Sequence, residues 1–419
     1  MNLLQEENEA PVSIHADTLW HNSDFVRLWC AQTVSAVGSK VSFLALPLTA
    51  VVVLQATPLE MGYLSAAGSL PALLFGLLVG VWVDRHKRRG LLIFADLGRG
   101  LLLLLIPLAA WLGLLNMSWL YPILFLTSAL GLLFGTAYHA YLPLLVRREQ
   151  LIDANSKLEL SRTVAEITGP SLAGWLIQVA TAPLAILLDA VSFLLSGLSL
   201  SLIRKAEATP QRDNETEHLL SEIGAGVRLL LGNATLRALT ATTVMISFFN
   251  AALEAIYLLY MTRTLGLSAG WIGLIFGTGS LGFLLGAIFP NHFVKRFGLG
   301  RTMIAGLILL ALADLLLPLA AGPQPLIIAF LIAAQICFGF GLTFYNIGHV
   351  SLRQSITPEG MLGRLSGTLD FFQAGLIPLG AVAGGLLGEW LGIRPTLLLA
   401  AVGELLAVVW LMTSPVRTL

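Results

Sequence analysis

Read for hydrophobic and polar positions, the chain resolves into long apolar runs. No Asp, Glu, Lys or Arg occurs in 61–83, 100–146, 167–188, 264–294, 315–352 or 371–388. A helix needs about 20 apolar residues to cross the hydrocarbon core of a bilayer, so the run 100–146 holds two spans and a turn. Transmembrane barrels alternate apolar and polar residues in short segments, and these continuous runs do not. Turn residues and charge clusters divide the chain into twelve predicted membrane helices, at 26–54, 59–83, 90–113, 118–141, 160–181, 183–203, 235–261, 269–294, 301–321, 324–349, 365–389 and 395–413. The first and seventh are long enough to be tilted or to extend past the bilayer.

One polar stretch interrupts this pattern. Around Lys205, Glu207, Pro210, Arg212, Asp213, Glu215, Glu217 and Glu222 it separates six spans from six. Within it Leu219, Leu220, Ile223, Val227, Leu230 and Leu231 share one helical face, which predicts a short amphipathic helix at the membrane surface. The implied organisation is an N-terminal tail (1–24), a six-helix bundle (25–204), a linker with that helix (205–233), a second six-helix bundle (234–414) and a short tail (415–419). Equal span counts suggest an internal repeat. A shift of 206 residues carries Gly80 onto Gly286, Gly135 onto Gly341 and Arg147 onto Arg353. The fold class is therefore an all-α polytopic membrane protein of two bundles.

Composition agrees: 56% of the 419 residues are hydrophobic and 11% charged. Soluble domains carry roughly 25% charged residues, so a soluble enzyme, a disordered chain and a nucleic-acid partner are excluded. Net charge is zero, and placement carries the information instead. With the N-terminus in the cytoplasm, 20 of the 24 Lys and Arg residues fall on the cytoplasmic side. Basic loops stay inside, which predicts both termini inside a plasma membrane of the bacterial inner-membrane type, with membrane lipids as partners. The N-terminal tail lacks the apolar core of a signal peptide. Cys30 and Cys337 fall in predicted spans and read as small apolar core residues, with no disulfide framework or metal spacing.

The loop after the second span reads Gly80-Val-Trp-Val-Asp84-Arg85-His86-Lys87-Arg88-Arg89. It resembles the loop-2/3 signature of the major facilitator superfamily, with Lys87 in place of the usual glycine. The resemblance implies that Gly80, Asp84, Arg85 and Arg89 form a cytoplasmic gate, Asp84 taking a partner from the facing half when that gate shuts. Gly76 and Gly80 permit close helix approach. In the fifth span, Gly169-Pro170-Ser-Leu-Ala173-Gly174 is similar to the Gly-Pro motif of exporters in that superfamily, a helix kink flanked by small residues. Three further stretches, Asn22–Trp29, Arg148–Asn155 and Thr357–Arg364, resemble the branch that holds the enterobactin exporter and macrolide-efflux proteins.

Ionisable residues inside a membrane are costly and mark function by default. In the resembled fold, spans three, six, nine and twelve support the cavity rather than line it. That places Asp96, Arg99, Asp189, Asp314 and Glu404 on support helices, where Asp96 and Arg99 are expected to pair and the others to be satisfied within a bundle or near an interface. Lys40, Glu166, Glu254 and Asp370 remain for the cavity. Glu254, with Asn250 one turn away, is the first candidate to carry a coupling proton; Glu166 and Asp370 follow. Lys40 could pair with a cavity carboxylate or meet an anionic substrate. Gln32, Ser35, Ser39 and Ser42 form a polar stripe on the first span; Tyr138, His139, Tyr345 and Asn346 supply further cavity candidates. His139 and His349 are expected to be hydrogen-bonded near the cytoplasmic ends.

No Walker-type loop, metal-ligand spacing or nucleophile elbow appears, so neither an enzyme nor a bound cofactor is expected. The functional expectation is a secondary transporter, a proton-coupled efflux pump for drugs, macrolide-like compounds or siderophores, working as a monomer by alternating access. An importer or lipid flippase of the same fold, or a non-transporting receptor, is the alternative.

Overall fold

The computed structural model describes residues 19–205, Glu207 and 219–418. Most of the predicted N-terminal tail and the linker residues 206 and 208–218 lie outside the described residues. The first half contains α1 (Ser23–Leu48), α2 (Pro58–Asp84), α3 (Arg88–Trp111), α4 (Met117–Leu145), α5 (Leu151–Val179) and α6 (Ala182–Ser201). After the linker helix α7 (Leu219–Gly232) come α8 (Ala234–Leu259), α9 (Ala269–Ile288), α10 (Pro290–Phe297), α11 (Leu299–Leu316), α12 (Gln324–Ile356), α13 (Leu362–Leu391) and α14 (Ile393–Met412). Among the described residues, 11 helices are long and apolar enough to cross a membrane. The twelfth predicted span is α5, packed between α1 and α9.

Two predicted boundaries shift for clear reasons. Helix α5 begins at Leu151, not at 160, because its polar first turns carry their own ion pairs. Lys157 meets Asp153 and Arg162 meets Glu159, each at 2.6 Å. Such pairs support helix outside the apolar run that defined the span. The predicted span 269–294 ends at Ile288, because Pro290 lacks an N–H and starts the separate helix α10.

Each half is a bundle of six membrane helices. In the first, α1 packs on α5 and α6, α3 on α4 and α6, and α2 on α4. In the second, α8 packs on α13 and α14, α11 on α12 and α14, and α9 on α12. The halves meet where α2 packs on α13 and α5 on α9. The linker helix α7 docks on α13: Leu230 is buried with Leu365 and Leu369, while Leu231 is exposed. The side chains of Leu219, Leu220 and Ile223 lie outside the described residues.

The repeat is present, in a different register. Ser23 and Ala234, Pro58 and Ala269, Arg88 and Leu299, Leu151 and Leu362, and Ala182 and Ile393 begin corresponding helices 211 residues apart. Only the α4/α12 region approaches the shift of 206, because α12 has 33 residues against 29 in α4 and starts earlier in its half. The local detail repeats too. Both α1 and α8 run on into a π-helical turn, Thr49–Val53 and Tyr260–Thr264. A left-handed residue follows each, Gln55 with φ 54° and Gly266 with φ 63°. Both turns close with a 2.9 Å bond, from Ala56 N to Ala50 O and from Leu267 N to Met261 O.

Candidate functional site

Charge gives the molecule two distinguishable ends. The loops with Arg85–Arg89, Arg147, Arg148, Lys295, Arg296 and Arg364 gather at one, termed here the basic end. At the opposite end the halves touch through glycines. A Cβ on Gly62 of α2 would lie 2.7 Å from the Ala381 carbonyl oxygen and 3.0 Å from Gly385 Cα on α13. A Cβ on Gly174 of α5 would lie 2.8 Å from Gly273 Cα on α9. The repeat carries Gly62 onto Gly273 and Gly174 onto Gly385, so the two crossings are one contact used twice. Only glycine lets backbones approach this closely.

Pro170 adds to the second crossing. A proline has no N–H for the carbonyl four residues earlier. That carbonyl, on Glu166, accepts from Ser280 Oγ of α9 at 3.0 Å, while Ser171 Oγ donates to Gly273 O at 3.3 Å. Helix α5 continues through Pro170, and the freed carbonyl becomes a bond between the halves. Gly169 meets the stem of Lys40, whose Cγ would be 3.2 Å from an added Cβ.

Toward the basic end the α2/α13 contact loosens. Leu73 Cδ1 lies 3.5 Å from a Cβ on Gly375, and nothing lies within 4 Å at Gly76, Gly80 or Gly367. The space between the halves holds a cavity of about 480 Å³. Its wall includes Ser39 and Ser42 of α1, Ser65 and Ser69 of α2, Tyr257 of α8 and Phe276 of α9. A second cavity of about 230 Å³ runs into the C-terminal half past Thr243, Asn250, Tyr345, Asn346 and Gln373. Glu254 and Ile377 line both. No cation pairs with Glu254 among the described residues.

The sequence-read candidates divide on this geometry. Ser39, Glu254, Asn250, Tyr345 and Asn346 line the cavities. Tyr345 is held by Thr243 at 2.9 Å and stacks on His349, itself 3.4 Å from Thr243. Lys40 pairs with Glu166 at 3.4 Å, and Arg162 holds the same carboxylate at 2.6 Å. Glu166 thus has two cations, unlike Glu254. Asp370 is exposed, with Arg353 in electrostatic range. Gln32 and Ser35 are absent from the walls: Ser35 is buried, bonded to Gln32 O at 3.4 Å. The polar stripe of α1 is longer than the cavity it borders. Tyr138 stacks on Phe134 and His139 is exposed, and neither is among the residues lining these two cavities. Cys30 is exposed rather than packed in the core.

The support helices also contribute to the cavity wall. Arg99 of α3 and Asp189 and Phe193 of α6 line the larger cavity. Arg99 pairs with Asp96 and lies 4.6 Å from the Phe134 ring centre and 4.1 Å from that of Phe193. They reach it because α1 presents the small side chains of Ser39 and Ser42 to the cavity there, while Gly38 lets Asp189 and Ser192 of α6 pack directly against α1. Period and hydropathy had no means to show that packing.

The loop signature is tied down within its own half. Asp84 is 75% exposed, with Arg88 at 3.8 Å. Arg89 donates to Leu200 O at 3.2 Å and to Ser201 O, closing the end of α6. Glu207 accepts from the backbone N–H groups of Arg88 at 2.8 Å and Arg89 at 3.2 Å, capping α3. An anion at a helix N-terminus is favourable.

Similarity to known proteins agrees with this architecture. The chain is 24% identical to macrolide efflux protein A of Streptococcus pyogenes, over 94% of this chain and 97% of that protein. It is 26% identical to the multidrug efflux pump Tap of Mycolicibacterium fortuitum, over 90% and 92%. The solved nucleoside transporter NupG superposes with a TM-score of 0.77 at 13% identity, covering 93% of this chain and 99% of that one, which shows the fold. The family model described as a transmembrane secretion effector matches residues 18–419. With two six-helix bundles around a central cavity, this multi-pass chain is a transporter and not an enzyme, and it belongs to the transmembrane secretion effector family of the major facilitator superfamily.

Proposed function

We propose that this protein is a proton-coupled exporter, an antiporter that moves bulky amphipathic small molecules such as drugs, macrolide-like compounds or siderophores out of a bacterial cell. The observation that carries the reading is Glu254, a carboxyl without a cation where the two cavities meet. A single group reached from both cavities suits alternate occupation by a proton and a substrate. The larger cavity, about 480 Å³ and lined by apolar walls with a few polar groups, fits the size class of drug-like ligands. The excess of basic residues at one end supports a cytoplasmic basic end with both termini inside. On that orientation the described state faces inward, the state in which an exporter collects its cargo.

The halves 25–204 and 234–414 would rock about the glycine crossings, with 205–233 as tether and 1–24 and 415–419 as cytosolic tails. When the inner side closes, Asp84 gives up its exposure for a partner from the facing half, with Arg85 and Arg89 shaping the latch. The two efflux relatives favour export over import. One monomer contains both halves of the cavity, so it suffices as the working unit.

The test is substrate-induced proton release from everted vesicles, using a panel of macrolides, other drugs and siderophores. Active protein should dissipate the pH gradient with at least one compound, and Glu254→Gln should abolish coupling while retaining substrate binding. Full active transport by Glu254→Gln would remove that residue from the proton path. A gradient that no compound dissipates would refute proton-driven export.

A further inference from the structure

Each half buries a polar cluster where its first, third and sixth membrane helices meet, and the two clusters are satisfied differently. In the first half, Asp96 and Asp189 share Arg99, and Ser196 and Ser192 donate to them. A cation is built in. In the second half, Asp314 of α11 and Glu404 of α14 are 3% and 0% exposed. The repeat places Leu310 where Arg99 stands. The titratable groups around Asp314 are Glu404 of α14 and Glu254 and Tyr257 of α8, and none is basic. Asn250 is the amide donor nearest Glu404, with Asp314 beside it, yet no donor stands at hydrogen-bond geometry to Asp314 Oδ2 or to either Glu404 carboxyl oxygen. The Tyr257 hydroxyl accepts from Gln335 Nε2 at 3.4 Å.

An ionised carboxylate buried without a cation or a donor costs several kcal/mol. Two such groups side by side cannot both ionise. A proton between them supplies the missing donor: one carboxyl donates its O–H, and the other accepts. We propose that Asp314 and Glu404 form a proton-binding site behind the cavity, with Asn250 and Glu254 between it and the open space. The first half sets a built-in cation, Arg99, against its two carboxyls, whereas the second half has none and uses an exchangeable proton. The second cluster therefore has no means of lowering its charge other than taking up a proton. This deepens the proton-coupled reading and rests on it for its role in transport, but the protonation itself is testable without any substrate.

The first measurement uses the unaltered protein, purified in lipid nanodiscs at neutral pH. A hydrophobic carbodiimide reacts with protonated carboxyls in apolar surroundings, and peptide mass spectrometry locates the adduct. Asp314 or Glu404 should be labelled, and raising the pH should suppress the labelling. Labelling confined to other residues, or suppression by sodium rather than by pH, overturns the site. The second measurement is infrared: the wild type should show a protonated-carboxyl carbonyl band that Asp314→Asn/Glu404→Gln lacks. Identical spectra overturn the proposal. In vesicles that double variant should bind substrate and lose proton-driven accumulation. Wild-type accumulation by that variant would remove the pair from coupling. If the labelling and the band appear but no compound on the panel is moved, the proton site stands and the export reading fails.

Discussion

Substituting Gly62 by alanine probes the crossing that holds the halves together. The new Cβ would stand 2.7 Å from the Ala381 carbonyl oxygen and 3.0 Å from Gly385 Cα. Both are backbone atoms of α13, so no flexible side chain yields. Reaching ordinary contact requires the helices to part by about 0.7 Å, in an interior that is otherwise close-packed. Overpacking of this kind costs about 1–3 kcal/mol. The cost falls on the state in which this end is shut, so the equilibrium should move about 5- to 150-fold toward the state open at this end. The assay is labelling of a cysteine replacing Ser69 in the cavity wall by a membrane-impermeant maleimide added at the end opposite the basic loops. Cys30 and Cys337 are first changed to serine. Gly62→Ala should speed labelling, Gly273→Ala should do the same at the symmetric crossing, and the two effects should add because they share no partner. Gly90→Ala, on the support helix α3 with nothing within 4 Å of its Cβ, serves as the neutral control. Unchanged labelling together with a lowered unfolding temperature would show that the crossing packs but does not gate.

Other predictions rest on single bonds. Ser280→Ala leaves the Glu166 carbonyl without its donor and should cost about 1–3 kcal/mol in a stability measurement. In a Pro170→Ala background the restored N–H should make most of that cost vanish, and an undiminished cost would refute the assignment. Gln55→Gly should raise the unfolding midpoint, since a left-handed conformation costs an L-residue about 1–2 kcal/mol, while Gly266→Ala should lower it. Equal midpoints would show that the turn's own bonds dominate. Glu207→Gln removes the charge that caps α3 and should lower stability by about 0.3–1 kcal/mol, with a smaller effect at high salt.

The relation between sequence and structure is uneven in an instructive way. Twelve spans, the polar break between the halves and the charge bias were legible because hydropathy over about 20 residues is a local property. The α9 boundary was misjudged because Pro290 outranks the apolar run around it. The start of α5 was misjudged because its ion pairs sit outside any apolar run. Glu254 and Asn250 were found as an isolated acid and amide within an apolar helix. Arg99 and Asp189 lie on helices of the outer layer, and only the packing of α1, with Ser39 and Ser42 at the wall, brings both to the cavity.

The amino-acid sequence by itself determined that this chain crosses a membrane repeatedly, that it is built as two halves, and which loops gather the positive charge. Each of these follows from transfer of short segments between water and lipid, a free energy nearly independent of what the segment later touches. The tertiary structure alone decided that Gly62 meets Gly385 and Gly174 meets Gly273, that the true repeat is 211 residues, and that Asp314 and Glu404 share a site without a cation. Those facts depend on which helix faces lie together across distant stretches of chain. Small residues, freed carbonyls and unpaired acids acquire their meaning only from the neighbour that packing brings to them.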